Sequence, residues 1–151
     1  MSKKTIGSVI TVISILLMSM FLGATSCSSG QAGKSQEEIK FDGTWTVIMM
    51  DGKELDPDDF MKGLPVIIFD TGKGEISGNS GCNSFFGGAE YKSDSVTVGE
   101  VASTMMACPN MELEDQFFKI INNQTLTGST EGGKLTLVND SGGNLVLEGE
   151  K

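Results

Sequence analysis

Glycine-bearing turn signals cut the chain beyond Gly43 into segments too short for most helices, and this punctuation constrains the fold more than any other feature. The signals are Asp51-Gly52, Thr71-Gly72-Lys73-Gly74, Gly87-Gly88, Glu131-Gly132-Gly133-Lys134 and Asp140-Ser141-Gly142-Gly143. Between such breaks, short runs that alternate apolar and polar residues read as antiparallel strands. The spacing predicts strands over 43–50, 65–69, 75–79, 87–92, 95–98, 125–128, 134–138 and 144–148. In the last two, Leu135, Leu137, Leu145 and Leu147 alternate with polar or smaller residues, so each strand offers one face to a core.

One segment departs from this pattern. Leu113, Phe117, Ile120 and Ile121 recur at helical spacing within 111–122, with Glu112, Glu114 and Asp115 at the start and Lys119 near the end. These charges complement the helix dipole, Asn110 is expected as N-cap, and Asn122-Asn123 suits a left-handed stop. A second short helical turn is expected over 57–62, after Asp56. The resulting fold class is α+β: a small, strongly curved antiparallel β-sheet or partly closed barrel packed on one amphipathic helix.

The first 26 residues read as an export signal. Lys3 and Lys4 precede an apolar run from Val9 to Leu22, and Gly23-Ala24-Thr25-Ser26 lead into Cys27. The run falls short of the roughly 20 apolar residues a bilayer span needs. Small residues before a cysteine resemble a bacterial lipobox, with Cys27 as the lipidated mature N-terminus. Ala24 stands where Leu is usual, so ordinary secretory cleavage remains an alternative, as does an uncleaved anchor. Residues 27–38 are Ser, Gly, Gln, Lys and Glu rich, a composition that cannot bury a core and reads as a flexible tether. Residues 39–151 then form one domain. Ser28 and Ser29 stand where an inner-membrane retention signal places Asp, which points to the outer membrane facing the periplasm.

Composition narrows the chemistry. The 151 residues include 20 acidic and 11 basic side chains, for a formal charge of -9, with no His. Every basic residue is Lys. There is thus no His-dependent nucleophile pair, no His-ligated zinc and no Arg clamp for phosphate, and the acidic chain is unsuited to nucleic acid. No cofactor or metal motif is evident, no catalytic residue is assigned, and a monomer is expected. Asp56, Asp58 and Asp59 lack the remaining positions of a calcium loop and read as a solvated helix start.

If Cys27 carries lipid, Cys82 and Cys108 remain as an even pair in an oxidising compartment, and a disulfide follows naturally. Such a bridge would stabilise the domain by about 3 kcal/mol. Two reduced, buried cysteines are the alternative. A thiol-disulfide redox pair is a third reading, although neither a Cys-x-x-Cys spacing nor a His or Arg is present to activate a thiol.

The sequence Gly81-Cys82-Asn83-Ser84-Phe85-Phe86-Gly87-Gly88, followed by Ala102-Ser103-Thr104-Met105-Met106-Ala107-Cys108-Pro109 and an acidic helix start, resembles the META (HslJ-like) domain family. The resemblance extends over 41–147, from the opening Gly43-Thr44-Trp45 to the closing Leu-x-Leu segments. It implies a β-rich domain with one packed helix, often on an envelope lipoprotein, associated with stress or antibiotic tolerance and lacking an established enzymatic activity. The residues carrying the motif are Gly81, Asn83, Thr104, Met105, Met106 and Pro109. Read physically, Gly81 and Gly87-Gly88 permit turns or close approach, and Asn83 can bond nearby backbone. Phe85, Phe86 and Phe117, with the Met pair and Phe118, are expected to line an apolar contact surface, with ordinary core packing as the alternative. The functional expectation is a non-enzymatic lipoprotein that binds an envelope protein, a lipid or a small apolar ligand. An internal ligand would require a cavity, whereas a protein-interaction module would have a filled core.

Overall fold

Alternation of side chains along each strand turns one face of the sheet inward, and enough strands are present for the sheet to curl onto itself. The computed structural model describes residues 38–150. The export signal, Cys27 and nearly all of the expected tether lie outside the described residues. The strands are β1 (Gly43–Met50), β2 (Lys53–Glu54), β3 (Val66–Asp70), β4 (Glu75–Asn79), β5 (Ser84–Tyr91), β6 (Ser95–Ser103), β7 (Thr125–Glu131), β8 (Lys134–Asn139) and β9 (Asn144–Gly149). The α-helix is α1 (Met111–Ile121), and the segment Pro57–Asp59 is a single 3-10 turn capped by the Asp56 side chain.

All neighbouring pairs are antiparallel and follow chain order, with β2 a short flap beside β1. The last strand returns to the first: Trp45 pairs with Gly149 and Val47 with Leu147. This closes an eight-stranded barrel, and closure removes the exposed sheet edges of an open sheet. A bulge between Val47 and Met49 accommodates the curvature. A second bulge lies between Gly87 and Ala89, where β5 meets β6. The Gly87-Gly88 pair is therefore not the turn expected from sequence. A side chain at Gly87 would lie 3.0 Å from the Glu100 carbonyl oxygen, so the glycine permits close strand approach.

The interior is filled. Val47, Ile67, Ile76, Val96, Leu126, Leu135, Leu137, Leu145 and Leu147 are fully buried, one from nearly every strand and two from β8 and β9. The barrel is stoppered at both ends. At one end lie the turns after β1, β4 and β8, and α1 crosses there with Phe117 and Ile121 fully buried. Polar contacts help to fix it: Gln116 Nε2 donates to Asp51 (2.6 Å), Asn139 Nδ2 donates to the Ile120 carbonyl (3.2 Å), and Asn122 accepts from Val101 N (2.9 Å). Burying one large apolar side chain such as Phe117 stabilises by about 1.5–3 kcal/mol, so these inward residues dominate the helix's attachment.

At the other end, Ile39 and Phe41 fold over the opening. Ile39 N donates to Ser93 O (3.0 Å), and Phe41 meets Phe69 and Tyr91 at ring separations of 5.9 Å. Trp45 is half-buried, its indole N–H donating to Phe41 O (2.7 Å). Glu150 N also bonds Thr44 O at this end, so both ends of the described chain leave the barrel at the pole opposite α1. Asn123 adopts φ 54°, the left-handed stop expected after α1. Asn110 does not cap it through its side chain; instead its Nδ2 donates to Asp59 O (2.8 Å), because the loop bearing the 3-10 turn packs against the helix start.

Candidate functional site

The two signature segments meet at the α1 end of the barrel. The β4–β5 turn carries Ser80, Gly81, Cys82 and Asn83, and the loop after β6 runs from Thr104 to Asn110. A disulfide joins Cys82 to Cys108, with Cα atoms 6.2 Å apart across a sequence separation of 26. Gly81 holds φ 92°, and a Cβ there would fall 2.3 Å from the Phe60 ring, so the turn closes only with glycine under that ring.

Asn83 organises the site and is buried. Its Oδ1 accepts from Met106 N and from Thr104 Oγ1, each at 2.8 Å. Its Nδ2 donates to Glu114 Oε2 (2.8 Å) and Met106 O (3.2 Å). Its backbone N–H reaches Ser80 Oγ and Glu114 Oε1 at 3.0 and 3.2 Å. Ser80 Oγ donates to the same carboxylate. One side chain thus ties a turn, an irregular loop and the helix together. Thr104 adds a further link, accepting from Ser84 N at 3.1 Å.

Glu114 is the residue that sequence reasoning missed. Its sequence position assigns it only to the charges that complement the helix dipole, yet it is buried beside Asn83. A signal was available, since Glu114 lies three residues before Phe117 and seven before Ile121, on the inward stripe of α1. No Lys among the described residues pairs with its carboxylate; donors from Ser80 and Asn83 satisfy it instead. Every buried side-chain nitrogen and oxygen among the described residues has a partner.

Above this network lies an open groove of about 330 Å³, lined by Thr104, Met105, Met106, Met111 and Phe118 among others, with Asn83 and Glu114 at its base. Met105 is 97% exposed. Met111 turns its sulfur toward Cys108, accepting from Cys108 N at 3.4 Å. The expected apolar surface is corrected here. Phe85 and Phe117 are buried, in contact with each other at a ring separation of 5.5 Å, and belong to the core. Phe86, the next residue on β5, points outward and is 68% exposed, because neighbouring strand residues face opposite sides. It stands on the outer sheet face opposite Ala102. Pro109 is exposed just before Asn110 at the helix entrance.

Three titrating groups among the described residues are displaced, Asp70, Lys73 and Tyr91, all near the opposite pole. Lys73 bonds Asp70 at 2.7 Å and holds its carboxyl below the ordinary value. Burial pushes the Tyr91 phenol up to about 12, with the Asp70 and Asp42 carboxylates adding to the effect. Among the described residues, no group of three His, Cys, Asp or Glu side chains is arranged to hold a metal ion.

Solved structures share this architecture. A protein from Burkholderia xenovorans, determined by NMR, is 22% identical with a TM-score of 0.58, over 73% of this chain and 83% of its own. A second NMR structure is 25% identical with a TM-score of 0.56, over 76% and 93%. A DUF4847 family protein from Bacteroides vulgatus is 17% identical with a TM-score of 0.51, over 76% and 97%. No curated protein matches the chain significantly. The META domain model matches residues 37–151, which span both clasped signature segments and the whole barrel, and the chain belongs to the META domain family.

Proposed function

We propose that this META-domain protein is a non-enzymatic lipoprotein of the bacterial envelope, anchored through Cys27, that contributes to stress or antibiotic tolerance by binding another envelope component. The observation that carries the reading is a division of labour within the signature. The polar groups of Asn83 and Thr104 are spent on bonds to neighbouring protein groups, while Met105 beside them stands almost fully in solvent. A catalytic site needs a polar group free to meet substrate; an interaction surface needs exposed apolar side chains on a rigid support. The filled barrel favours a partner held at the surface over an acyl chain held inside. The loose lipobox before Cys27 and the polar tether support the anchor.

The test is fractionation of cells fed radiolabelled palmitate. Label and outer-membrane association should both be lost in a Cys27→Ser variant. Label that persists would remove the anchor from the account, and a reproducible hydrolase, transferase or redox activity of the purified protein would remove the non-enzymatic reading. For the redox alternative, a Cys82→Ser/Cys108→Ser variant should abolish such activity in an enzyme, but lower only stability in a structural domain.

A further inference from the structure

The exposed methionines are concentrated at the α1 pole. Met105 and Met106 lie on the loop after β6, Met111 opens the helix, and Met61 is exposed on the loop that Asn110 ties to the helix start. Methionine surfaces adapt to varied apolar partners because the side chain is unbranched and its sulfur polarisable. The same pole is acidic. Asp115 lines the groove, Glu112 is exposed next to Met111 in the first turn of α1, and Asp58 and Asp59 are exposed on the adjoining loop. The ion pair found among the described residues, Lys73 with Asp70, lies at the opposite pole and neutralises none of them. Lys62 and Lys119 are exposed at the same pole, but Asp58, Asp59, Glu112 and Asp115 outnumber them, so the pole combines a pliable apolar surface with a net negative rim.

We infer that this pole docks a cationic amphipathic peptide segment, its apolar face on Met105, Met106 and Met111 and its lysines or arginines against Glu112 and Asp115. This inference rests on the binding role proposed above and names the chemistry of the partner. Charge complementarity selects the occupant. An acidic segment or an anionic bilayer would be repelled by the rim, and a neutral apolar peptide would leave it unused. The described chain enters the barrel at the other pole, so the Met surface lies on the end opposite that entry. The helix-in-groove mode suits such a peptide, with apolar anchors spaced along one face.

The test uses the full-length protein in nanodiscs of neutral phosphatidylcholine, titrated with a dye-labelled synthetic Leu/Lys amphipathic peptide against empty nanodiscs. Binding should be saturable and should weaken with salt. A Leu/Glu peptide of the same pattern, and a Lys/Ser peptide lacking the apolar face, should each bind at least about tenfold more weakly. Met105→Gln/Met106→Gln should cost about tenfold in affinity with an unchanged melting temperature. Glu112→Gln/Asp115→Asn should cost about threefold to tenfold at low salt, a difference that closes at high salt. Phe86→Ser, which alters an exposed apolar residue on the outer sheet face, should leave affinity unchanged. Equal binding of the Leu/Glu peptide, an unaffected Met variant, an equal loss with Phe86→Ser, or self-association of the protein through this pole would overturn the inference. These results are independent of the Cys27 fractionation, so failure of either leaves the other readable.

Discussion

Asn83 shows how a small polar side chain can carry family-specific structure without chemistry. Its amide bonds both the N–H and the C=O of Met106 and so replaces the ladder that the irregular loop lacks. Asn83→Ala removes the donor to Glu114 Oε2 and the acceptor of the Met106 amide together, and should lower unfolding free energy by about 3 kcal/mol in urea titrations. Met105→Gln touches nothing in the fold and should stay within about 0.5 kcal/mol of the parent. Gly81→Ala combines a positive φ with a clash against Phe60, and should destabilise by more than the about 1 kcal/mol of an ordinary glycine substitution in regular structure. Asn83 was legible in sequence as a bonding residue, but its partners were not. Met106 and Glu114 are brought to it by folding: helical spacing places Glu114 on the inward stripe of α1, but no local pattern names Asn83 as its partner.

At the level of elements, the strands flanked by true turns were legible: 43–50 and 75–79 appear with the expected bounds. The beginning of β5 was not, because Phe85-Phe86 breaks the expected alternation and Gly87-Gly88 resembles a turn while serving as a bulge. The later half of β6 was also hidden. From Gly99 onward its free side faces the end of α1 instead of β7, with Asn123 N donating to Gly99 O, so it lacks the usual half-buried pattern. Two predictions belong at this scale. Phe117→Ala empties a fully buried contact between α1 and Phe85, and should cost about 3–5 kcal/mol by denaturant titration. Tyr91, at the end of β5, donates its hydroxyl to Glu75 O at 2.6 Å. Its phenol is raised to about 12 in the folded chain, so the neutral form is favoured on folding. That contribution is fully present below the ordinary tyrosine value near 10 and is lost as pH rises through about 12. Melting temperature should therefore fall over this alkaline window, and Tyr91→Phe should flatten the fall.

For the whole molecule, closure by β1 and β9 joins the first and last strands of the domain, a pairing that no local signal announces. Its consequence is a polar arrangement of functions. One end receives the chain and is sealed by Ile39 and Phe41, while the other carries the helix, the disulfide and the methionine groove. The disulfide and the Asn83 network restrain the same loop, so reduction alone should leave the loop in place at a lower overall stability, by about 3 kcal/mol. Circular dichroism in the presence of reductant checks this as a downward shift of the melting curve without loss of native signal at low temperature.

The signature segments build a rigid clasp beneath exposed methionines. Residue-resolved amide hydrogen exchange on the full-length protein tests it most directly. The Met106 amide, although it sits in an exposed loop, is bonded to buried Asn83 and should exchange nearly as slowly as the Val47 amide within the barrel. Loop-like exchange at Met106, with protection confined to the barrel strands, would contradict the account.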